Sequence, residues 1–209
     1  MAHNFGALIF TPAIKALQEK YGSRRQYARM EQSGSFDRLG PDETAFLAER
    51  DGFYMASVGA TGWPYVQYRG GARGFLKVID DRTIAFADFR GNKQYISAGN
   101  VATDNRVALI MVDYPRQARL KLLGRTEVFE GEQARDWIAR LRDPNEKTPI
   151  ERVFLIRIEA FDWNCPQHIT PRFTAEEIKE ALAPLERRMQ DLEQENKRLR
   201  EELVQARAK

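Results

Sequence analysis

Cysteine occurs once in the 209 residues, at Cys165, and histidine only twice. A single thiol excludes an intrachain disulfide, and so few soft ligands leave no metal site to expect. A reducing cytoplasm is the simplest home for such a chain. No apolar run is long enough to span a bilayer, and the first residues lack the basic-then-apolar pattern of a secretory signal, so no membrane association is expected. An excess of one charge is missing too. Lys and Arg number 33 against 30 Asp and Glu, a formal net +3, and the signs are interspersed, which leaves no footprint for nucleic acid. The one dense basic cluster, Arg24-Arg25 followed by Arg29, falls on a helix-like segment beside Glu31. It reads as a solvated face rather than a grip on DNA.

A chain of this length can hold one sizeable core, alone or with an appendage. Thr11-Pro12 opens a short helix, with Thr as N-cap, Pro at the first helical position and Gly22 past its end. Ile14, Leu17 and Tyr21 share one face of it. Gly40-Pro41-Asp42 starts a second helix through Arg50. From Phe53 the period becomes that of strands: Phe53–Gly59, Trp63–Tyr68, Phe75–Ile79, Thr83–Phe89, Val107–Tyr114, Ala118–Phe129 and Val153–Phe161. A short helix around Gln94–Asn100 and another over Glu132–Arg142, with Trp137, Ile138 and Leu141 inward, interrupt them. With no βαβ alternation, a doubly wound fold is not expected. Six or so antiparallel strands predict a mainly β (α+β) chain: a six-stranded antiparallel split β-barrel with flanking helices.

Thr174 begins a different pattern. Thr174-Ala175-Glu176-Glu177 is a capping box. Beyond it Leu182, Leu185, Met189, Leu192, Asn196, Leu199, Leu203 and Ala206 alternate three and four apart, an unbroken a/d series. With Leu182 at a, Asn196 also falls at a, where a buried amide favours a two-stranded, in-register partner. In a parallel pair Arg188 meets Glu193, Glu195 meets Arg200 and Glu202 meets Arg207, all opposite in sign. A parallel homodimer is therefore expected, although Pro184 weakens the start of the helix. The expected organisation is an N-terminal helical segment (1–51) packing on the barrel, the barrel (52–173) and a coiled-coil dimerisation helix (174–209).

The chemistry lies in the bends between strands. Gly70-Gly71, Arg90-Gly91-Asn92-Lys93 and Arg116-Gln117-Ala118-Arg119 put backbone N–H groups beside fixed cations, as a phosphate requires. Flat apolar strand faces nearby suit an aromatic ring system. A phosphorylated aromatic cofactor is the expected occupant. Gly91 permits a tight turn, Asn92 can donate to an anion, and Lys93 supplies a full charge. Gln67 can read the imide edge of a ring, Arg69 can reach a phosphate, and Gly70-Gly71 permits close approach.

Together these segments resemble the pyridoxamine 5′-phosphate oxidase-like flavoproteins, split β-barrels that form homodimers and hold FMN at the subunit interface. Phe86-Ala87-Asp88-Phe89-Arg90-Gly91-Asn92-Lys93 stands where that family has Phe-Tyr-Thr-Asn-Tyr followed by Ser-Arg-Lys. Arg116-Gln117-Ala118-Arg119 looks like its Arg-Gln-Val-Arg motif, and Trp163…His168…Arg172-Phe173 like its Trp…His…Arg-Phe signature. The resemblance covers about Gly52 to Phe173. It implies cofactor contacts at Gln67, Tyr68, Arg69, Gly70, Ala87, Asp88, Gly91, Asn92, Lys93, Gln117 and Trp163, with His168 or Arg172 facing substrate.

The departures are specific. The family's Arg-x-x-x-x-Lys strand has two registers here, one placing Gln67 to Gly70 in its position and the other Arg73 to Lys77. Gly91 replaces a phosphate-binding Ser, Asn92 replaces Arg, and Asn164-Cys165-Pro166-Gln167 replaces a Gly-rich stretch. The resemblance is thus to the broad FMN-binding branch rather than to the vitamin B6 phosphate oxidases. Cys165 reads as a small buried hydrophobe, and Trp163 as core with its N–H satisfied. His168 either faces a substrate or satisfies the chain reversal before Pro171. The implied function is an FMN-dependent oxidoreductase transferring hydride at flavin N5 to or from a small molecule, with a nicotinamide as candidate reductant. The alternative is a non-catalytic flavin or heme carrier that recruits a partner through its coiled coil.

Overall fold

The computed structural model describes residues 4–32, 34, 36–163 and 167–208. Seven strands, β1 (Gly52–Val58), β2 (Pro64–Gly70), β3 (Lys77–Asp80), β4 (Thr83–Phe89), β5 (Arg106–Asp113), β6 (Ala118–Glu130) and β7 (Ile150–Trp163), form one sheet in the order β2-β1-β5-β6-β7-β4-β3. Every neighbouring pair is antiparallel. The expected antiparallel architecture is present; among the described residues the sheet counts seven strands rather than six, one for each of the seven β-rich runs, the run at Phe75–Ile79 becoming the four-residue edge strand β3.

Side-chain alternation decides which face goes inward. Along β1, Phe53, Met55 and Ser57 are buried while Tyr54 and Val58 stay outside, the pattern of a strand with one wet face. Phe53 meets Phe86 of β4 edge-on at 5.2 Å, and Phe86 stacks on Phe154 of β7 at 5.0 Å. The sheet therefore curls until β1 faces β4 through the core, and β2 and β3 remain unpaired edges of a split barrel. β4 is buried on both faces. Ile84 and Phe86 enter the main core, and Ala85 and Ala87 pack with Leu141 and Val153 under a short helix. Alanine at 85 and 87 leaves the room that the helix needs.

Among the described residues seven helices flank this sheet or follow it in sequence: α1 (Phe5–Ile9), α2 (Pro12–Lys20), α3 (Arg24–Gln32), α4 (Pro41–Ala48), α5 (Ile96–Thr103), α6 (Arg135–Leu141) and α7 (Ala175–Arg207). A 3-10 turn, Gly131–Ala134, leads into α6. Thr11 caps α2 by accepting from the Ile14 N–H, with Pro12 first in the helix. α4 is closed by the Glu43 carboxylate on the Gly40 N–H at 2.9 Å and buries Phe46 and Leu47. Five residues are too few to print a helical period, so α1 had no signature in the sequence.

The shared face of Leu17 and Tyr21 on α2 stays exposed. The helix instead buries Gln18, which accepts from Arg24 at 2.6 Å. Arg24 also pairs with Glu31, which holds Lys15 at 2.7 Å. The basic cluster of α3 is thus partly spent on internal pairing.

By internal contacts the chain forms two units, Met1–Asp113 with Gln117–Ile169, and Tyr114–Arg116 with Thr170–Lys209. In the second, Arg172 lies over the Tyr114 ring at 4.8 Å. Its long helix α7 starts on the expected capping box: the Glu177 N–H donates to Thr174 Oγ1 at 3.2 Å, and the Thr174 N–H to Glu177 Oε2 at 2.8 Å. α7 runs unbroken through Pro184 and buries no residue. Among the described residues no helix is long and apolar enough to cross a membrane.

Candidate functional site

Where the curled sheet brings β2 over β4, a cavity of about 240 Å³ opens, lined from β2 by Tyr65, Gln67 and Arg69 and from the segment 88–98 by Asp88, Gly91, Asn92, Lys93 and the start of α5. Glu151 and Arg152 of β7 complete its wall. The period of two on β2 turns Tyr65, Gln67 and Arg69 to this side. Tyr68 turns to the other face, where it packs edge-on to Tyr54 at 5.3 Å. Gly70 and its pairing partner Gly52 lie beneath the Tyr68 ring; a Cβ on Gly70 would come within 2.9 Å of it.

One carboxylate organises the cations. Asp88 accepts from Arg69 through one oxygen and from Arg152 through the other at 3.0 Å. Arg152 stands directly opposite Asp88 in the β4–β7 register, so the cross-strand pair is built by the sheet itself. Burial alone would pull the Arg152 guanidinium down, but the hydrogen bonds it donates to Glu130 and Asp88 outweigh it and hold its pKa above the ordinary value. Arg152 also lies over the Tyr95 ring at 4.4 Å. Arg69 spreads over Phe86 and Phe154 at 5.7 and 5.3 Å, and its Nε is buried with no hydrogen-bond partner.

The loop between β4 and α5 is held in an uncommon backbone state. Lys93 and Tyr95 have φ of 61° and 54°, the left-handed region that residues with a Cβ seldom occupy and that recurs at ligand clamps. Asn92 Oδ1 accepts from the Gln94 N–H at 3.2 Å and tightens the turn, which leaves its amide free to donate. Tyr95 stands at the N-cap of α5 and supplies no side-chain cap, so the first N–H groups of the helix are open to an anion. Lys93 is exposed, and no carboxylate pairs with it among the described residues. Ser97 Oγ donates to Gln67 Oε1 at 2.8 Å, which fixes the amide and points its N–H₂ group elsewhere.

Six of the expected cofactor contacts therefore share one cavity: Gln67, Arg69, Asp88, Gly91, Asn92 and Lys93. Ala87 is packed under α6, and Tyr68 and Gly70 belong to the opposite face of β2. Of the two registers for the Arg-x-x-x-x-Lys strand, the one through Arg69 reaches the cavity. Arg73 and Lys77 line a separate hollow of about 30 Å³ beside Leu141. Gln117 lies before β6, with φ of 52°, and its Nε2 donates to the Ile169 carbonyl at 2.6 Å. That bond pins the turn at His168, itself at φ 66°. Trp163 stands opposite Leu120 near the same end of β6; its Nε1–H donates to Glu43 at 2.7 Å and its ring meets Phe46 at 4.9 Å. The N–H is satisfied as expected, but the residue keeps about a third of its surface, at 36%. Cys165 lies outside the described residues.

Arg152, Tyr95 and Ser97 were not legible as site residues. Their signal is the β4–β7 register and the bend into α5, and neither is visible without the pairing of distant strands.

A sequence model of the family described as pyridoxamine 5′-phosphate oxidase matches residues 40–164, well over half of the chain. The chain belongs to that family. The match spans α4 and the whole sheet, hence every residue of the cavity. No curated protein matches the chain. Solved structures similar to this member of the pyridoxamine 5′-phosphate oxidase family include HupZ of Group A Streptococcus, at 18% identity over 65% of this chain and 100% of that one, with a TM-score of 0.46. An FMN-binding protein from Syntrophomonas wolfei is 12% identical over 73% and 97%, with a TM-score of 0.45. A protein from Clostridium acetobutylicum related to general stress protein 26 of B. subtilis (pyridoxinephosphate oxidase family) is 16% identical over 66% and 95%, at 0.44. Likeness at this level says nothing about the chemistry of the chain.

Proposed function

We propose that this member of the pyridoxamine 5′-phosphate oxidase family binds FMN and works as a flavin-dependent oxidoreductase on a small molecule. The observation that carries the reading is the buried, unpartnered Nε of Arg69 on a cavity that Lys93 and the uncapped start of α5 also line. This donor set suits a phosphate dianion: a guanidinium, an ammonium and open backbone N–H groups. Gly91 adds room, since a Cβ there would meet nothing nearer than the Phe89 carbonyl at 4.0 Å.

Asp88 takes a different role from the one its place in the motif suggested. An anion does not hold a phosphate; it holds Arg69 and Arg152 in place for one. Gln67 and Asn92 keep amide N–H groups for ring or ribityl oxygens. When bound, FMN supplies hydride chemistry at ring N5, and the protein contributes orientation and electrostatics. At about 240 Å³ the cavity of one chain is below the roughly 300–1,000 Å³ that encloses a ligand of this size. In this reading a second copy completes the site at a subunit interface. Gln117 and Trp163 stay expected cofactor contacts although they do not line this cavity, and His168 and Arg172 stay the substrate-side candidates.

A second reading, a flavin carrier without turnover, rests on one observation. Among the described residues no histidine lines the cavity, and its two carboxylates, Asp88 and Glu151, are both in ion pairs, which leaves no idle carboxylate or imidazole for acid–base work. Titration of the purified chain with FMN, followed by flavin absorbance and fluorescence, tests binding. Saturable binding is expected, and an unchanged flavin spectrum defeats both readings. Anaerobic reduction of the loaded protein by NADH or NADPH and reoxidation by oxygen or dyes then separates them: turnover favours the oxidoreductase.

A further inference from the structure

α7 presents an apolar seam that is exposed along its length. Leu182, Leu185, Met189, Leu192, Leu199 and Leu203 are each between 40% and 57% exposed, and the helix buries no residue over its 33 positions. These residues alternate three and four apart and so form one stripe along the helix. We propose that this stripe is covered by α7 of a second copy, as a parallel, in-register, two-stranded coiled coil. The inference stands apart from the flavin reading and uses none of its residues.

The charges beside the stripe select this occupant. Arg188, Glu195 and Glu202 precede the a positions, and Glu193, Arg200 and Arg207 follow the d positions. In a parallel pair each residue of the first set meets one of the second on the other chain: Arg188 with Glu193, Glu195 with Arg200, Glu202 with Arg207. Every contact is attractive, and the symmetry doubles the number. Within the described chain only Glu202 is already engaged, with Arg198 at 3.6 Å; the others make no ion pair there.

Asn196 fixes the direction. Its Nδ2 donates to the Leu192 carbonyl at 3.0 Å, the arrangement of an amide with no neighbour across the seam. In a parallel, in-register pair the two Asn196 side chains face each other, and both amides are satisfied. In an antiparallel pair a positions face d positions, so each Asn196 would meet an apolar side chain and bury an unpaired amide, which costs stability. Pro184 falls at an outward c position, where the carbonyl it deprives of a donor can turn to water.

Cysteine cross-linking in the full chain tests this. In a Cys165→Ser background, Leu199→Cys places a thiol in the seam and Glu201→Cys one on the outer face. Under a glutathione redox buffer, Leu199→Cys is expected to form a covalent dimer at least five-fold more completely than Glu201→Cys. Equal yields, or none at position 199, would rule out the parallel in-register pair. Sedimentation equilibrium of the unmodified chain should give twice the 24.1 kDa chain mass; one, three or four chains would contradict two strands. A charge-reversal pair guards against a variant that fails to fold. Glu195→Arg alone should lower the helix melting temperature and Glu195→Arg/Arg200→Glu should restore it; absence of rescue opposes the parallel register. The FMN titration is read separately, so either proposal can fail while the other stands.

Discussion

Arg69 of β2 and Asp88 of β4 form an ion pair between strands that share no backbone hydrogen bond, closing the split of the barrel with side chains. Both side chains are largely buried, at 14% and 8% exposure, so removing one partner leaves the other charge with little water. Arg69→Met should cost roughly 2–3 kcal/mol in urea unfolding, below the usual figure for a broken buried pair because Arg152 stays on Asp88. The same change should weaken FMN at least ten-fold. Asp88→Asn should destabilise the fold comparably yet weaken FMN less than Arg69→Met does, since it loosens the two guanidiniums but removes neither. Equal losses of FMN affinity in both variants would mean that only the integrity of the cavity matters.

Lys93 is an exposed cation of the cavity with no carboxylate partner among the described residues, on a backbone at φ 61°. Its proposed task is the phosphate alone. Lys93→Gln should therefore weaken FMN about ten-fold, the equivalent of one charge-assisted hydrogen bond, and leave riboflavin affinity unchanged. A parallel fall in riboflavin binding would place Lys93 against the ring instead.

The strands were legible because period-two alternation survives wherever one face is wet: the run from Phe53 falls on β1, and the start of β6 at Ala118 falls where the pattern put it. β4 shows the limit, being buried on both faces, and only its β-branched and aromatic content marked it. The site was half legible. Arg90-Gly91-Asn92-Lys93 and Gln67-x-Arg69 are local signals that any Gly-containing turn with cations shares, and their convergence depends on the curl of the sheet. Arg152 and the Gln117–Ile169 bond are long-range facts, separated from their partners by 64 and 52 positions, and no spacing rule reaches that far. Ala87, Tyr68 and Gly70 follow the motif in order but the alternation turns them away from the cavity.

Gly124 sits at the register shift between β6 and β7, where a Cβ would come within 2.6 Å of Ile156 Cγ2 and 2.7 Å of the Arg157 carbonyl oxygen. The second contact is backbone in a central strand and cannot swing aside. Gly124→Ala should cost about 2 kcal/mol by overpacking, seen as a lower urea midpoint at unchanged m-value. A neutral result would mean that the pairing of β6 with β7 can slide to a new register.

Asp104 carries the acid-side signature. Hydrogen bonds from Arg106 lower its pKa from 3.8 to about 2. A group depressed in the folded state stabilises above its unfolded pKa, and that contribution disappears as pH falls through the folded one. The melting-temperature gap between the native chain and Asp104→Asn should hold steady from neutrality to about pH 5, then close between about pH 4 and pH 2. A gap that persists at the acid end would assign the effect to geometry rather than charge.

Asn196 is the one polar residue in the α7 seam, four positions from the Leu192 carbonyl that it bonds. If it specifies two strands, replacing it with Leu removes the only penalty on higher assemblies and adds apolar contact at the same time. Asn196→Leu should leave far-ultraviolet helicity unchanged, raise the melting temperature of the helix, and shift the mass by light scattering toward three or more chains. A variant that stays a dimer of unchanged stability would show that the amide never faces its counterpart, and that register is held by the flanking charges alone.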